Sequence, residues 1–257
     1  MVRRALPLLL ALCLVTAGCS ALGPDYVRED RAESTLAAAN AALAETETYR
    51  FEADATVVAT SDDESQRVDL RAAGNVSLTE RRMGGRTNVS GGGDRYRQST
   101  ESYLLNRTRY RECSSRAREW GADESATENW STLTPAGRQL TLLESGSLLY
   151  NGTTTVDGRE ATLLVGEPTE DALTLYQQRR SESLPDGPGI ENARLEAWFD
   201  AETDRPIRTT LTFEVSGGDA SASTSLTTRY RDYGRPVTVD PPAELLSDPP
   251  EFTCPGS

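Results

Sequence analysis

From Tyr49 onward, apolar residues recur at every second position, and short polar turn sequences interrupt the pattern. In "YRFEADATVVAT", Phe51, Ala53, Ala55 and Val57 fall on one side and polar neighbours on the other. A period of two puts alternate side chains on opposite faces of an extended chain, so one face can be buried and the other wetted. The links between these stretches are too short for a crossover helix, which forces neighbouring strands to run antiparallel. "DDES" at 62–65 turns the chain, and "QRVDLRAAGNVSLTE" returns. "RMGGRTNVS" and "DRYRQSTESYLL" continue the meander across the glycines at 91–93, and a hairpin near Asn106 puts Tyr103 and Tyr110 on its two arms. Asp157-Gly158 in "TTTVDGREATLLV" is a strong two-residue hairpin signal. Near the end, "ARLEAWFD" alternates Leu195, Ala197 and Phe199, and "IRTTLTFEV" alternates Ile207, Leu211, Phe213 and Val215. Trp198 falls on the face opposite Leu195, where packing is the expected role and a ligand wall the alternative.

Three segments break this period. Asp30 with Glu33 predicts a capping box, and the helix after it carries Leu36, Ala39 and Leu43 on one stripe. Thr134-Pro135 predicts a helix start and Gly146 its end. Pro168-Thr169 opens a third helix with Ala172, Leu175 and Tyr176 on one face, and the stretch 185–189 breaks it. Residues 113–130 are polar and read as irregular. The expected class is α+β: a curved antiparallel half-barrel sheet covered by helices. No internal repeat or long linker divides it.

The first eighteen residues have the parts of an export signal: Arg3-Arg4, an apolar core from Ala5 to Val15, then Thr16, Ala17 and Gly18. An apolar run this short falls well below the roughly 20 residues that span a bilayer as a helix. The segment looks like a lipoprotein signal, after which Cys19 becomes the first residue and its thiol takes a lipid. Thr16 stands where that motif usually has an aliphatic residue, and ordinary secretory cleavage is the alternative. Arg3-Arg4 leaves the export route, general or twin-arginine, open. The predicted organisation is a signal peptide over 1–18, a tether over 19–29 and one domain over 30–257. The protein is thus expected on the outer side of the cytoplasmic membrane, anchored through Cys19.

The charge is −13, and lysine and histidine are both absent, so all 27 basic residues are arginines. An acidic, lysine-free chain resembles secreted proteins of salt-loving archaea; at molar salt the screening length is about 3 Å, so dense carboxylates repel weakly. A genome that prefers arginine codons gives the same composition. Nucleic acid is an unsuitable partner, because no basic stripe exists to neutralise phosphates. Without histidine there is no Ser-His-Asp or Cys-His catalytic arrangement and no His-ligated zinc. "GGRTNVSGGGD" lacks the lysine of a phosphate loop and reads as a hairpin turn. The carboxylate clusters Asp62-Asp63-Glu64 and Asp200/Glu202/Asp204 are the remaining route to a hydrolase, but they sit in predicted turns, where a hydrated acidic surface is the expected role. Calcium in the second is an alternative, although it lacks the glycine and spacing of an EF-hand loop. No catalytic residue, metal or cofactor is predicted.

Once Cys19 is lipidated and the signal removed, Cys113 and Cys254 remain, a natural disulfide pair in an oxidising compartment. Five Asn-X-Ser/Thr sequons, at Asn75, Asn88, Asn106, Asn129 and Asn151, are candidate glycosylation sites.

The order of elements, with "AWFDAETDRPIRTTLTFEV" and the closing "YRDYGRPVTVDPPAE", resembles the LolA/LolB and LppX/LprG lipoprotein-carrier fold. That fold is a half-open barrel whose hollow is covered by helices. The resemblance implies a hydrophobic ligand, a lipid or isoprenoid, between sheet and helices, with Leu36, Leu43, Phe51, Val57, Leu195, Phe199, Leu211 and Phe213 as the expected lining. The chain is only 6% aromatic and its first helix offers alanines. These departures keep a second function open: a non-enzymatic envelope interaction or structural lipoprotein with a closed core.

Overall fold

The computed structural model describes residues 26–61, 64–91, 97–113, 119–124, 129–178, 189–217, 219–250 and Cys254. Helix α1 spans Asp30–Ala44, and six strands follow: β1 Thr48–Ser61, β2 Glu64–Ser77, β3 Arg82–Gly91, β4 Arg97–Leu105, β5 Thr108–Glu112 and β6 Trp120–Glu124. A 3-10 turn over Trp130–Leu133 leads into α2, Pro135–Glu144. Strands β7 Ser147–Val156 and β8 Arg159–Glu167 come next, then α3 Glu170–Gln178, β9 Gly189–Asp200, β10 Pro206–Gly217, β11 Ala220–Arg231 and the short α4 Ala243–Ser247.

The strands form one curved, open antiparallel sheet in the order β6-β5-β4-β3-β2-β1-β11-β10-β9-β8-β7. The chain builds outward from β1 through hairpins to β6, then starts again at the far edge with β7 and returns, so that β11 closes against β1. This is the expected α+β half-barrel. Helices α1, α2 and α3 lie on the inner face over the β7–β9 side.

Local chemistry explains the element ends. Thr134 accepts a hydrogen bond from Gly137 N at 3.3 Å and caps α2, with Pro135 at its first position. Asp157 and Gly158 both adopt positive φ (50° and 79°), as the two-residue turn requires. Asn106, also at positive φ, turns β4 into β5, and Tyr103 pairs directly with Tyr110.

Several sequence expectations are corrected. Glu29, not Asp30, occupies the cap position of α1, and it makes no capping hydrogen bond through its side chain. Gly146 does not close α2 by a left-handed turn; α2 stops at Glu144, and a side chain at 146 would collide with the Glu167 carbonyl of β8. On α3 Leu173 and Tyr176 are buried and Ala172 is half-buried, while Leu175 is exposed. The polar stretch after Cys113 contains an edge strand, β6, which the hydrophobic period misses because its inner positions are Gly121 and Asp123. Within "GGRTNVSGGGD", residues 84–91 belong to strand β3, as the meander reading of "RMGGRTNVS" expects and the turn reading of the whole stretch does not.

The main core lies between the inner face and the helices. The α1 stripe runs Ala32, Leu36, Ala39 and Leu43, and its alanines let the helix approach closely. Arg28 fixes the start of α1 to the end of α2: its guanidinium donates to Leu143 O (3.2 Å) and Gly146 O (2.6 Å) and pairs with Glu33 at 2.7 Å. A cation placed on the terminal carbonyls of a helix satisfies acceptors that the helix itself leaves unpaired.

The outer face carries two smaller clusters. Trp198 packs there with Val156, Ala161 and Ile207, under the guanidinium of Arg208 at 4.1 Å, so its role is packing. At the other side, Leu105, Tyr110 and Leu245 pack together with Tyr103 and Trp120. The segment after β11 reaches this cluster as a strap rather than as a strand: Asn75 Nδ2 donates to Thr238 O at 2.9 Å, and Val239 approaches the position of Gly84. Cys113 and Cys254 are joined in a disulfide that ties the strap down.

Candidate functional site

The strand registers arrange the inner face in cross-strand rows. One row runs Val89–Leu70–Ala55–Leu226–Leu211–Leu195 from β3 through β2, β1, β11 and β10 to β9. Nearer the hairpin tips, a second row runs Gly91–Val68–Val57–Thr224–Phe213. Nearer the base, a third runs Thr87–Ala72–Ala53–Thr228–Thr209–Ala197.

Burial is uneven along these rows. On the β9–β11 side, Leu195, Leu211 and Leu226 are buried; on the β2–β3 side, Leu70, Val68, Ala72 and Val89 are only half-buried, as is Val57 on β1. The helices pack on the former side, so the inner face of β1–β3 continues past them as an apolar wall. This wall is the candidate site.

Of the eight residues expected to line a hollow, Leu36, Leu43, Phe51, Leu195, Phe199, Leu211 and Phe213 meet in one continuous core, where each is buried. Val57 stands apart, half-buried toward the hairpin tips. Among these residues Phe213 and Val57 share a row, and Phe51 lies against Gly74 of β2. The expected lining omits Leu70, Ala72 and Val89. Their alternation in β2 and β3 is visible in the sequence, but nothing in a strand's own residues tells which end a helix will cover.

Polar groups cross the base of the core. Tyr49 is fully buried and its hydroxyl accepts from Ala136 N at 3.3 Å, in the first turn of α2. Burial pushes the Tyr49 phenol up to about 12, against the opposing influence of Thr134, Ala136 and Arg138. Burial likewise raises the Tyr230 and Tyr233 phenols well above their ordinary value. Thr209 and Tyr230 share a hydrogen bond of 3.2 Å between their hydroxyls, and Gln139 Nε2 donates to Tyr176 OH at 3.3 Å.

On the outer face, an open cleft of about 240 Å³ lies between Gly84, Gly85, Arg86, Glu101 and Tyr103 and the strap residues Thr238–Asp240. Glu101 is engaged there by Arg86 and by Tyr103 OH at 3.3 Å. Asp200 pairs with Arg159 at 3.5 Å and accepts from Glu202 N and Thr203 N, which makes the 200–204 cluster a hydrogen-bonded turn. Among the described residues, no three His, Cys, Asp or Glu side chains converge as metal ligands, and no helix is long and apolar enough to cross a membrane.

Asn88, Asn106, Asn129 and Asn151 are exposed; Asn75 is half-buried, with its amide nitrogen held by the strap. Cys19, the signal segment, most of the tether (19–25), Asp62-Asp63 and residues 185–188 of the expected helix break lie outside the described residues.

The chain is similar to several solved structures. The lipoprotein LppX of Mycobacterium tuberculosis shares 14% identity over 82% of this chain and 100% of its own, with a TM-score of 0.43. LprF from Mycobacterium bovis shares 13% over 83% of this chain and 98% of its own, also at 0.43. A putative outer membrane lipoprotein-sorting protein domain from Vibrio parahaemolyticus shares 12% over 80% and 95%, at 0.32. No family model matches the sequence, and no curated protein does.

Proposed function

We propose that this protein is a membrane-anchored extracytoplasmic lipoprotein that binds a hydrophobic ligand, a lipid or isoprenoid, on the inner face of its sheet. The observation that carries the reading is the half-buried apolar wall of Val57, Val68, Leu70, Ala72 and Val89 beside a helix-covered core. A sheet face in water normally alternates with polar residues or is covered, and this one continues apolar beyond its cover. Transfer of such surface from water to ligand is worth roughly 25 cal/mol per Å². The buried residues Leu36, Leu43, Phe51, Leu195, Phe199 and Leu211 form the floor, and Phe213 with Val57 belongs to the rim.

Export, lipidation at Cys19 and glycan addition at exposed sequons complete the proposal, which treats the chain as a binding protein and not an enzyme. The acidic, lysine-free composition suits work at high salt. The second reading, a closed-core envelope interaction protein, draws on the depth to which Leu195, Phe199 and Leu211 are packed.

Organic extraction of protein purified from native membranes, followed by mass spectrometry, tests the ligand directly, with the covalent anchor counted separately. A stoichiometric recurring lipid is the expected result. Well-folded protein with no extractable lipid, and with Leu70→Asp unchanged in apolar-dye binding, sinks the reading in favour of the closed core.

A further inference from the structure

The base of the inner face carries a band of polar groups in an otherwise apolar interior. Thr228 and Thr209 are buried neighbours on β11 and β10, and Tyr230 OH bonds Thr209 and contacts Pro135 O at 3.4 Å. Tyr49 and Tyr176 lie close enough to bear on the ionisation of Tyr230. Tyr176 OH accepts from the amide nitrogen of Gln139 on α2, a residue only 3% exposed whose Oε1 is buried without a partner. Turning the amide over leaves its nitrogen unpartnered instead, so one end of a buried amide is unsatisfied in either orientation. Trp130 Nε1, on the turn before α2, is likewise buried and unpaired. A buried polar atom left unpaired costs about 1–3 kcal/mol, which natural cores avoid unless something completes the bond.

The third inner row leads to this band from the open side. Ala72 and Ala53 are half-buried and in register with Thr228, so small residues occupy the row between the apolar wall of β2–β3 and the hydroxyls of β10–β11. The surroundings penalise charge: the same burial raises the neighbouring phenols.

We infer that Gln139, with Tyr176 and the Thr209–Tyr230 pair, is the seat of an uncharged hydroxyl or amide head group, whose hydrocarbon tail lies along Leu70, Val57 and Val89. The inference rests on the proposed ligand-binding function and adds the class of ligand: a neutral amphiphile such as a long-chain alcohol. Arg138, the residue before Gln139 on α2, lies near enough to lower the Tyr49 pKa, so an ionised head is the competing chemistry, and the experiment separates the two.

Full-length protein is loaded with the apolar dye N-phenyl-1-naphthylamine, which is then displaced by dodecanol, dodecane or dodecanoate. The ratio of alcohol to alkane affinity is compared among wild type, Gln139→Leu and Tyr176→Phe. Tyr176→Phe removes one oxygen and keeps the ring, so it guards against a misfolded leucine variant. We expect each variant to lower the alcohol-to-alkane ratio by about fivefold, the worth of one buried hydrogen bond, with alkane binding unchanged. Equal ratios in all three proteins overturn the head-group seat alone and assign the unpaired amide to a buried water. Displacement by dodecanoate in preference to dodecanol overturns it in favour of an anionic head. Failure of every probe to bind overturns the seat and the ligand-binding reading together.

Discussion

Gly74 on β2 offers the sharpest test of whether the floor of the inner face is packed or yielding. It pairs with Phe51 of β1 and Gly85 of β3, and the Phe51 ring lies over it. A methyl group at this position would stand 2.8 Å from both Cε1 and Cζ of Phe51 and would also press on the Gly84 carbonyl. Carbon atoms settle at about 3.5–4.0 Å, so the ring has to retreat by most of an ångström. Replacing a strand glycine with alanine otherwise favours folding by about 0.5–1 kcal/mol, whereas overpacking a filled core costs about 1–3 kcal/mol. Gly74→Ala is therefore expected to destabilise by about 1–2 kcal/mol. Gly85→Ala is the control, because its methyl would meet the ring at 3.5 Å and the Ala73 carbonyl at 2.9 Å, and it is expected to cost less. Equilibrium urea unfolding, followed by tryptophan fluorescence, reads both. An unchanged or raised midpoint for Gly74→Ala would refute the reasoning, since Phe51 and the β3 backbone would then have free space to enter.

Leu195 is wholly buried at the end of its cross-strand row, and Leu195→Ala is expected to cost about 2–5 kcal/mol in the same unfolding assay, whereas Val57→Ala at the half-buried rim costs under about 1.5 kcal/mol. Reduction of Cys113–Cys254, or the double serine variant, is expected to remove about 2–4 kcal/mol of stability and to expose the strap to proteolysis near Leu245; intact resistance to protease after reduction would count against the strap's dependence on the bridge. Tyr49 has a folded-state pKa raised from 10.0 to about 12. Its contribution is complete below pH 10 and declines at roughly 1.4 kcal/mol per pH unit as pH rises from 10 toward 12, because the unfolded phenol loses its proton first. Absorbance at 295 nm should show the buried phenols ionising only as the protein unfolds; reversible titration of all tyrosines near pH 10 in folded protein would contradict their burial.

The alternation from Phe51 to Val57, the turn at Asp157-Gly158, the Thr134-Pro135 helix start and the α1 stripe all follow from rules that act within a few residues, and they are legible in the amino-acid sequence alone. They determine an antiparallel sheet with helices laid on it. Local rules fail where a residue answers to a distant partner. Gly146 has the look of a helix stop, yet it is glycine because β8 passes against it. Leu175 keeps the helical period but faces solvent, while Leu173 is buried. Strand β6 has almost no apolar inner face and exists because β5 offers it an edge. The candidate site divides along the same line. Sequence marks Val57 and Phe213 as inner-facing, but only the placement of α1–α3 over β7–β9 decides that Leu195 is floor and Leu70 is wall. Gln139 carries no motif; it becomes conspicuous because tertiary packing buries its amide against the Tyr176 hydroxyl of α3 and leaves one end without a partner. Period and turn chemistry are properties of adjacent residues, whereas cover and unpaired burial are properties of surfaces brought together from far along the chain.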